Sequence, residues 1–300
     1  MINKLFAVFL IIILMIIFIF SQVDIIRYLN LTKSTIQDLI KLDQKYWLKP
    51  RVSTNHRVVI SLTTIPIRIN DIYYTINSLL DQSHRVDQIN ICIPYYMKRT
   101  GLPYIVPDYL KNLQNVKIIN CQDFGPITKL LPTLNLENNP DTKIIYIDDD
   151  RIYSYTSIET LVKYSEKFEN FAICNWGWKI PSDRNFLTHS SFRNLAPKYL
   201  FSYGSVDIIE GCEGCLVKPK FFTPDIYSLD HAPRELFFVD DICISGHLAK
   251  NNIPRYRIPH KLSRYAFAKL PRPSHDTPLS TVNNNGHNNN TAIKYFNDYW

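Results

Sequence analysis

The sequence predicts an α/β fold in which helices cover an open, mostly parallel sheet. From His56 onward, apolar runs of β-forming residues alternate with amphipathic segments of helical period. The apolar runs carry hydrophobic side chains on both faces, as strands buried between two helical layers do. The chain has 300 residues, of which 46% are hydrophobic. A chain of this length and hydrophobic content can form one large core, so the composition excludes a disordered protein.

The first half of the chain contains alternating strand and helix predictions. The strands are the runs HRVVISLTTI, QINICIP, VKIINC, KIIYI and FAICNWGW. The helices between them are NDIYYTINSLLDQS, PDYLKNLQN, TKLLPTLNL and SIETLVKYSEKF. We expect Asn70 to cap the first of these helices, and the third to continue on both sides of Pro132. Strand–helix alternation of this kind is typical of a parallel sheet.

The second half is less regular. Residues 179–205 carry proline, serine, asparagine and aromatic residues, which is typical of a long functional loop. The run FFVDDICISGHLAKNN predicts a helix with an acidic start, followed by a strand at IPRYRI. The tail NNNGHNNNT is a low-complexity polar stretch and predicts a disordered loop.

The N-terminus predicts a membrane anchor. Leu5–Phe20 is uncharged and apolar, and extension to Val23 brings it to roughly the 20 residues that cross a bilayer. A cleaved signal peptide is the alternative, but no small-x-small cleavage site follows. We therefore expect a cytosolic tail at 1–4, a transmembrane signal anchor at 5–23 and a stem at 24–52. The protein is then a single-pass type II membrane protein with its bulk in the lumen of the secretory pathway.

The folded part behind the stem divides into a catalytic domain at 53–275 and a polar, Asn-rich C-terminal segment at 276–300. A net charge of +7 is spread along the chain without a run of five basic residues. This pattern does not indicate nucleic-acid binding, and we expect none. The six cysteines do not form a disulfide framework at this length. Cys212 and Cys215 lack the second pair that a zinc site needs, so we interpret the cysteines as buried free thiols.

A run of three acidic residues, Asp148–Asp150, directly follows the β-forming residues of KIIYI. In an open α/β sheet this position is the carboxyl end of a strand, where ligands bind. Adjacent carboxylates repel one another, so they require open solvent or a cation. A solvated turn or a cap for the next helix is one interpretation; a Mg²⁺ or Mn²⁺ site is the other. Position alone does not choose between them.

A second acidic pair, Asp240–Asp241, opens the helix predicted from FFVDDICISGHLAKNN. Aspartate is common at a helix N-terminus because it caps backbone N–H groups and complements the helix dipole. A carboxylate at a helix mouth that faces a crevice is also suited to act as a general base. Both interpretations stay open at this point.

Six blocks in order give the chain a resemblance to a known family. They are VVISLTTIPIRI, SLLDQSHRVDQINICIP, FGPITKLLPTL, IIYIDDDRIY, IIEGCEGCLVKPKFF and FVDDICISGHLAKNNIPRY, and they span about residues 56–260. In this order the chain resembles the family 2-like glycosyltransferases of the GT-A fold that carry a D-D-D metal motif. The resemblance implies a nucleotide-binding α/β domain and transfer of a sugar from a nucleotide-sugar donor, expected to be UDP-linked, to a hydroxyl of a glycan or protein.

The resemblance also implies roles for the acidic residues. Asp148 and Asp150 match the D-x-D positions that hold Mn²⁺ or Mg²⁺ on the donor diphosphate, with Asp149 between them near the sugar or ribose. Asp240 and Asp241 match the acidic pair of inverting enzymes, in which the second residue deprotonates the acceptor hydroxyl. Asp stands here at the first position, where Glu is more common. A third metal ligand is expected at His260 or His275.

Further roles are implied for residues in the loops. The loop after the first strand receives the nucleotide in the family, and Thr63, Pro66 and Arg68 match it. Lys129 matches a position close to the donor phosphates. Gly211 and Gly214 match a turn that shapes the acceptor side.

Two other enzyme classes require features that the sequence lacks. A nucleotidyltransferase requires a Gly-rich basic loop after the first strand, and SLTTIPIRI contains no glycine. A metal-dependent phosphohydrolase requires a nucleophilic Asp after that strand, where the sequence has none. The remaining alternative is a catalytically inactive, membrane-anchored sugar-binding module on the same fold. The retained acidic residues Asp148, Asp150 and Asp241 favour an enzyme.

Overall fold

The apolar strands of the first half assemble into a parallel sheet, as predicted. The computed structural model describes residues 2–186, 203–228, 232–259, 267–269, 278–285 and 287–300. The parallel strands lie in the order β3-β2-β1-β4. They are β1 (Val58–Thr63), β2 (Gln88–Pro94), β3 (Val116–Cys121) and β4 (Lys143–Tyr146). Because the four strands are parallel, their carboxyl ends meet at one edge of the sheet.

Helices precede, separate and follow these strands along the chain. They are α1 (Ile2–Thr32), α2 (Ile36–Lys45), α3 (Tyr73–Leu80), α4 (Asp108–Lys111), α5 (Leu131–Leu136) and α6 (Ser157–Lys167). The predicted cap at Asn70 is wrong, because α3 begins only after Ile72. Two backbone hydrogen bonds, from Arg68 N–H to the carbonyl of Ile65 and from Asp71 N–H to that of Arg68, form turns instead. These turns bring Arg68 over the end of the sheet.

The second half of the sheet is mixed, so the prediction of a mostly parallel sheet holds for the first half only. The order continues from β4 as β10-β6-β11-β8, with β10 antiparallel to both of its neighbours. The strands are β6 (Ala172–Cys174), β8 (Gly204–Ser205), β10 (Cys215–Val217) and β11 (Arg255–Arg257). Two-stranded ribbons pair β5 (Arg151–Ile152) with β12 (Phe267–Lys269), and β7 (Gly177–Trp178) with β9 (Ile208–Ile209). The predicted strand FAICNWGW is therefore divided between β6 and β7.

The C-terminal segment is helical, and the expectation of a disordered loop is wrong. Helix α7 (Asp240–Lys250) is followed along the described chain by α8 (Leu279–Asn285) and α9 (Asn288–Tyr295). Ala292, Ile293 and Phe296 are buried in the core. The ring of Phe296 packs so closely on Gly246 of α7 that a Cβ there would lie 2.3 Å from it. Burial of these side chains joins α9 to the rest of the fold.

The predicted stem is also part of the folded body. Arg27, near the end of α1, donates hydrogen bonds of 2.8 Å to the carboxylate of Asp81 and to the carbonyl of Tyr153. On α2, the buried Asp43 accepts the backbone N–H groups of Gln114 and Asn115. Residues 24–52 thus pack against the domain rather than form a spacer.

The predicted membrane anchor at 5–23 is not supported by the structure. Helix α1 includes this stretch, but no helix in the described part of the chain is long and apolar enough to cross a membrane.

The described core residues form two hydrophobic clusters. Successive side chains of a strand point to opposite faces of the sheet and so belong to different clusters. On β4, Ile145 belongs to one cluster, whereas Ile144 and Tyr146 belong to the other. All six cysteines are free, as predicted, and four of them, Cys92, Cys174, Cys215 and Cys243, are buried.

Candidate active site

A crevice with a volume of about 450 Å³ lies outside the carboxyl ends of β1, β2 and β4. It is lined by residues 147–151, by Thr63–Ile65 together with Arg68, and by the start of α7. This volume is in the usual range for a site that binds a small molecule. The acidic residues predicted from two distant parts of the sequence therefore meet in one place.

The first acidic run is matched by basic side chains. Arg68 Nη2 lies 2.8 Å from Asp149 Oδ1, and its Nη1 lies 3.4 Å from Asp150 Oδ2. The hydroxyl of Thr64 donates to the other Asp149 oxygen at 2.5 Å. Arg151 Nε lies 3.9 Å from Asp150. Both oxygens of Asp149 therefore have partners within the protein.

Burial acts strongly on Asp149. Its side chain is 5% exposed, and desolvation raises its pKa to about 6 even though the guanidinium of Arg68 opposes the shift. This carboxylate depends on Arg68 for its charge, since an unpaired charge at such a position is costly.

The second acidic run starts α7 without capping it by a side chain. The N-cap position is Val239, and no side-chain hydrogen bond caps the helix. Asp240 and Asp241 instead line the crevice. Asp241 Oδ1 accepts the backbone N–H of Gly211 at 2.9 Å, and the side chain remains 32% exposed. Desolvation, together with repulsion from Asp240, raises the pKa of Asp241 well above its usual range.

Lys129 joins the two runs. Its Nζ lies 2.7 Å from Asp148 Oδ1, 2.6 Å from Asp240 Oδ2 and 4.0 Å from Asp241 Oδ1. The lysine side chain is only 5% exposed. The three carboxylates raise the pKa of Lys129 well above its usual range, against the opposing effect of burial. The sequence predicted that Lys129 would approach the donor phosphates, but in the structure its ammonium contacts carboxylates.

Among the other predicted residues, Thr63 and Arg68 line the crevice, whereas Pro66 does not. The hydroxyl of Thr63 donates to the carbonyl of Cys92 at 2.7 Å and so belongs to the sheet. Pro66 lies in the turn that positions Arg68. Gly211 and Gly214 are not among the lining residues of the crevice, although the N–H of Gly211 donates to Asp241. Gly214 adopts a φ of 91° that favours glycine, and this allows the turn into β10.

Several crevice residues were missed by the sequence predictions. Thr64 and Arg151, which contact the first run, lie directly beside predicted residues. Glu210 and Trp178 come from the irregular second half of the chain, and the C-terminal segment contributes Asn283. The side-chain amide of Asn283 donates to the carbonyl of Phe238 at 2.8 Å, which fastens α8 to the segment that precedes α7. A low-complexity polar sequence gives no signal for such a contact.

The resemblance implies a divalent cation, and the charges of the crevice fit one. Carboxylate oxygen is the ligand that Mg²⁺ and Mn²⁺ prefer. In the described part of the lining, seven acidic side chains face four basic ones. They are Asp123, Asp148, Asp149, Asp150, Glu210, Asp240 and Asp241 against Arg68, Arg99, Lys129 and Arg151. This excess of acidic side chains fits a bound cation.

The arrangement is nevertheless not a ready-made metal site. Within the described ranges, no group of three or more His, Cys, Asp or Glu side chains is placed to hold a metal ion. Asp148 faces Lys129, and Asp150 faces Arg68. His260 and His275, the predicted alternatives for a third ligand, lie outside the described residues. Asp148 and Asp150 remain the residues with the right donor atoms.

Comparison with known proteins yields remote structural matches. No protein-family model matches this chain, and no curated protein sequence matches it. A 2-C-methyl-D-erythritol 4-phosphate cytidylyltransferase from Francisella tularensis is similar at 13% identity and a TM-score of 0.41, over 72% of this chain and 95% of that chain. TarS of S. aureus (residues 1–349) is similar at 11% identity and the same TM-score, over 68% of this chain and 58% of that chain. Since both TM-scores are low, the α/β assignment rests on the strand order itself.

Proposed function

We propose that this protein is a glycosyltransferase that transfers a sugar from a nucleotide-sugar donor, expected to be UDP-linked, to a hydroxyl of a glycan or protein. The observation that carries the proposal is the meeting of the two acidic runs in one crevice at the carboxyl ends of the strands. That edge is where open α/β sheets bind nucleotides. The order of the sequence blocks that resemble GT-A glycosyltransferases supports the same function.

Asp241 is the proposed general base. It keeps an exposed face, and the N–H of Gly211 fixes its orientation. Asp240 is less suited, because its carboxylate is in an ion pair of 2.6 Å with Lys129. Asp241 takes the proton of the acceptor hydroxyl while that oxygen attacks the anomeric carbon of the donor sugar. The bond from this carbon to the diphosphate breaks, the diphosphate leaves with the electron pair, and the anomeric configuration inverts.

The basic side chains of the crevice are suited to the leaving diphosphate. Arg68, Arg99 and Arg151 line the crevice, and guanidinium groups bind phosphate oxygens through paired hydrogen bonds. A divalent cation held by Asp148 and Asp150 would supply Lewis-acid stabilisation of the diphosphate. The positioning of Arg68 by Asp149 and Asp150 then belongs to donor binding.

The test is a transfer assay on the purified full-length chain. The protein is incubated with Mn²⁺, a panel of nucleotide sugars and simple glycan or peptide acceptors, and release of the nucleotide diphosphate is measured. We expect release with at least one donor, and binding of UDP that strengthens with Mn²⁺. If no donor is turned over and no nucleotide diphosphate binds, the proposal is wrong. Sugar binding without nucleotide binding indicates the inactive sugar-binding module instead.

A further inference from the structure

Lys129 occupies an unusual place for a buried lysine, since it connects two acidic runs that lie about ninety residues apart. Its ammonium has three N–H donors and is in ion pairs below 3 Å with Asp148 and Asp240. Only 5% of the side chain is exposed. Most of the lysine side chain is therefore closed to a substrate in the crevice.

The surrounding backbone is shaped to hold this ammonium. A Cβ on Gly211 would lie 2.6 Å from Lys129 Nζ and 3.0 Å from its Cε, so only glycine leaves room at this position. The ring of Tyr146 lies below the ammonium, with its centroid 5.6 Å away. Gly125, in the loop that leads to Lys129, has a φ of 76°, and a Cβ there would lie 2.1 Å from the carbonyl oxygen of Phe237. Two glycines thus fix the position of this lysine.

This position has a consequence for metal binding. Asp148 is one of the two carboxylates proposed to hold a divalent cation, and one of its oxygens faces the ammonium of Lys129 at 2.7 Å. A free cation at Asp148 would lie close to a second positive charge, and like charges at such distances in a poorly solvated site repel strongly. A diphosphate that arrives with the cation adds negative charge and offsets this repulsion.

We propose that Lys129 is a built-in counter-ion that keeps a free divalent cation off Asp148, so that the metal binds only together with the nucleotide diphosphate. The inference rests on the proposed function, because that function supplies the metal–diphosphate complex. In the absence of donor, the ammonium of Lys129 is shared by Asp148 and Asp240, and this allows the two acidic runs to lie close together. Lys129 acts here as a positioning residue, since it acts on the metal through Asp148.

The experiment measures binding of Mn²⁺ to the full-length chain from the electron paramagnetic resonance signal of the free ion, with and without UDP. We expect the wild type to bind Mn²⁺ weakly alone and about tenfold or more tightly when UDP is present. Lys129→Met removes the competing charge, so its affinity for Mn²⁺ without UDP should rise by about tenfold or more. Its affinity should also depend less on UDP.

Lys143→Met is the matched control. Lys143 lies at the other end of β4, is 1% exposed and pairs with Glu166 at 3.1 Å. It is thus a buried, paired lysine on the strand that leads to Asp148, but outside the crevice. Its loss should leave the affinity for Mn²⁺ as in the wild type.

If Lys129→Met does not fold, Gly211→Ala tests the same point without removing the charge. The added methyl group must displace the ammonium from its position, and the affinity for Mn²⁺ without UDP should again rise. Tight binding of Mn²⁺ to the wild type alone, or an unchanged affinity in the variant that folds, overturns the inference. Failure of UDP to bind any variant contradicts the proposed function instead, and the Mn²⁺ comparison without nucleotide still decides the role of Lys129.

Discussion

The two acidic runs of the crevice are neutralised in different ways. The three carboxylates of Asp148–Asp150 lie near three basic side chains, Lys129, Arg68 and Arg151. Lys129 is shared with Asp240, and Arg151 is shared with Glu213. The two carboxylates of Asp240–Asp241 lie near one ammonium, that of Lys129, which is closer to Asp240 than to Asp241. The first run therefore has more basic neighbours than the second, in which Asp241 is the carboxylate farther from the ammonium. The difference separates a run suited to holding the donor from one suited to moving a proton.

The largest effect is expected from Asp241→Asn. Loss of the general base should lower kcat by about 10²- to 10⁴-fold while binding of UDP is retained. Asp240→Asn is the matched comparison and should lower kcat less, because the carboxylate of Asp240 is already in an ion pair with Lys129. Transfer rates with saturating donor and UDP affinities check both variants. A larger loss of kcat in Asp240→Asn than in Asp241→Asn would reverse the assignment of the base.

The next largest effect is expected on the free energy of unfolding and comes from the first acidic run, Asp148–Asp150. Arg68→Met leaves the buried Asp149 without its guanidinium partner, and breaking such a pair costs about 3 to 5 kcal/mol of unfolding free energy. Urea denaturation measures the change. Adding Asp149→Asn should recover most of the loss, because the unpaired charge is removed as well.

Lys111→Met is the control for this prediction, since its ion pair with Asp108 is solvent-exposed and should contribute less than about 1 kcal/mol. Equal losses in Arg68→Met and Lys111→Met would show that Asp149 does not depend on Arg68.

A smaller effect tests the helix that carries the second run. His247 of α7 is 6% exposed and lies 3.6 Å from Asp225. Burial lowers the pKa of His247 to about 4, although the carboxylate of Asp225 opposes the shift. The imidazole is therefore neutral in the native state, whereas the unfolded chain takes up a proton below a pH of about 6.5. The unfolding free energy that the neutral imidazole of His247 contributes at pH 7 is therefore lost as the pH falls from about 6.5 to 4.

The difference in unfolding free energy between the wild type and His247→Gln should shrink by about 3 kcal/mol between pH 7 and pH 4. The wild type and His247→Gln must be compared at the same pH, because protonation of Asp149 changes the unfolding free energy of both proteins in the opposite direction. Its native pKa of about 6 makes the native state bind more protons than the unfolded state in the same range. A difference that does not change with pH would mean that His247 is not held neutral.

The local sequence was sufficient to predict the strands of the first half of the fold. Runs such as QINICIP and VKIINC became β2 and β3 with the predicted bounds, because strands buried on both faces carry a continuous apolar signal. The start of α3 was predicted wrongly at Asn70, since backbone hydrogen bonds to Ile65 and Arg68 formed turns there. The second half has strands of two or three residues, which are too short for any periodic pattern. The helices of the Asn-rich tail are stabilised by burial of Ala292, Ile293 and Phe296.

The sequence by itself determined the parallel half of the sheet and the position of both acidic runs at element ends, because hydrophobic periodicity and turn positions are local properties. Only the tertiary structure decided which acidic and basic side chains of the crevice contact one another. The closeness of Asp148 to Asp240 depends on Lys129, on the space left by Gly211 and on the loop that contains Gly125. Electrostatic energy depends on distances between side chains from different elements, and no local pattern encodes those distances.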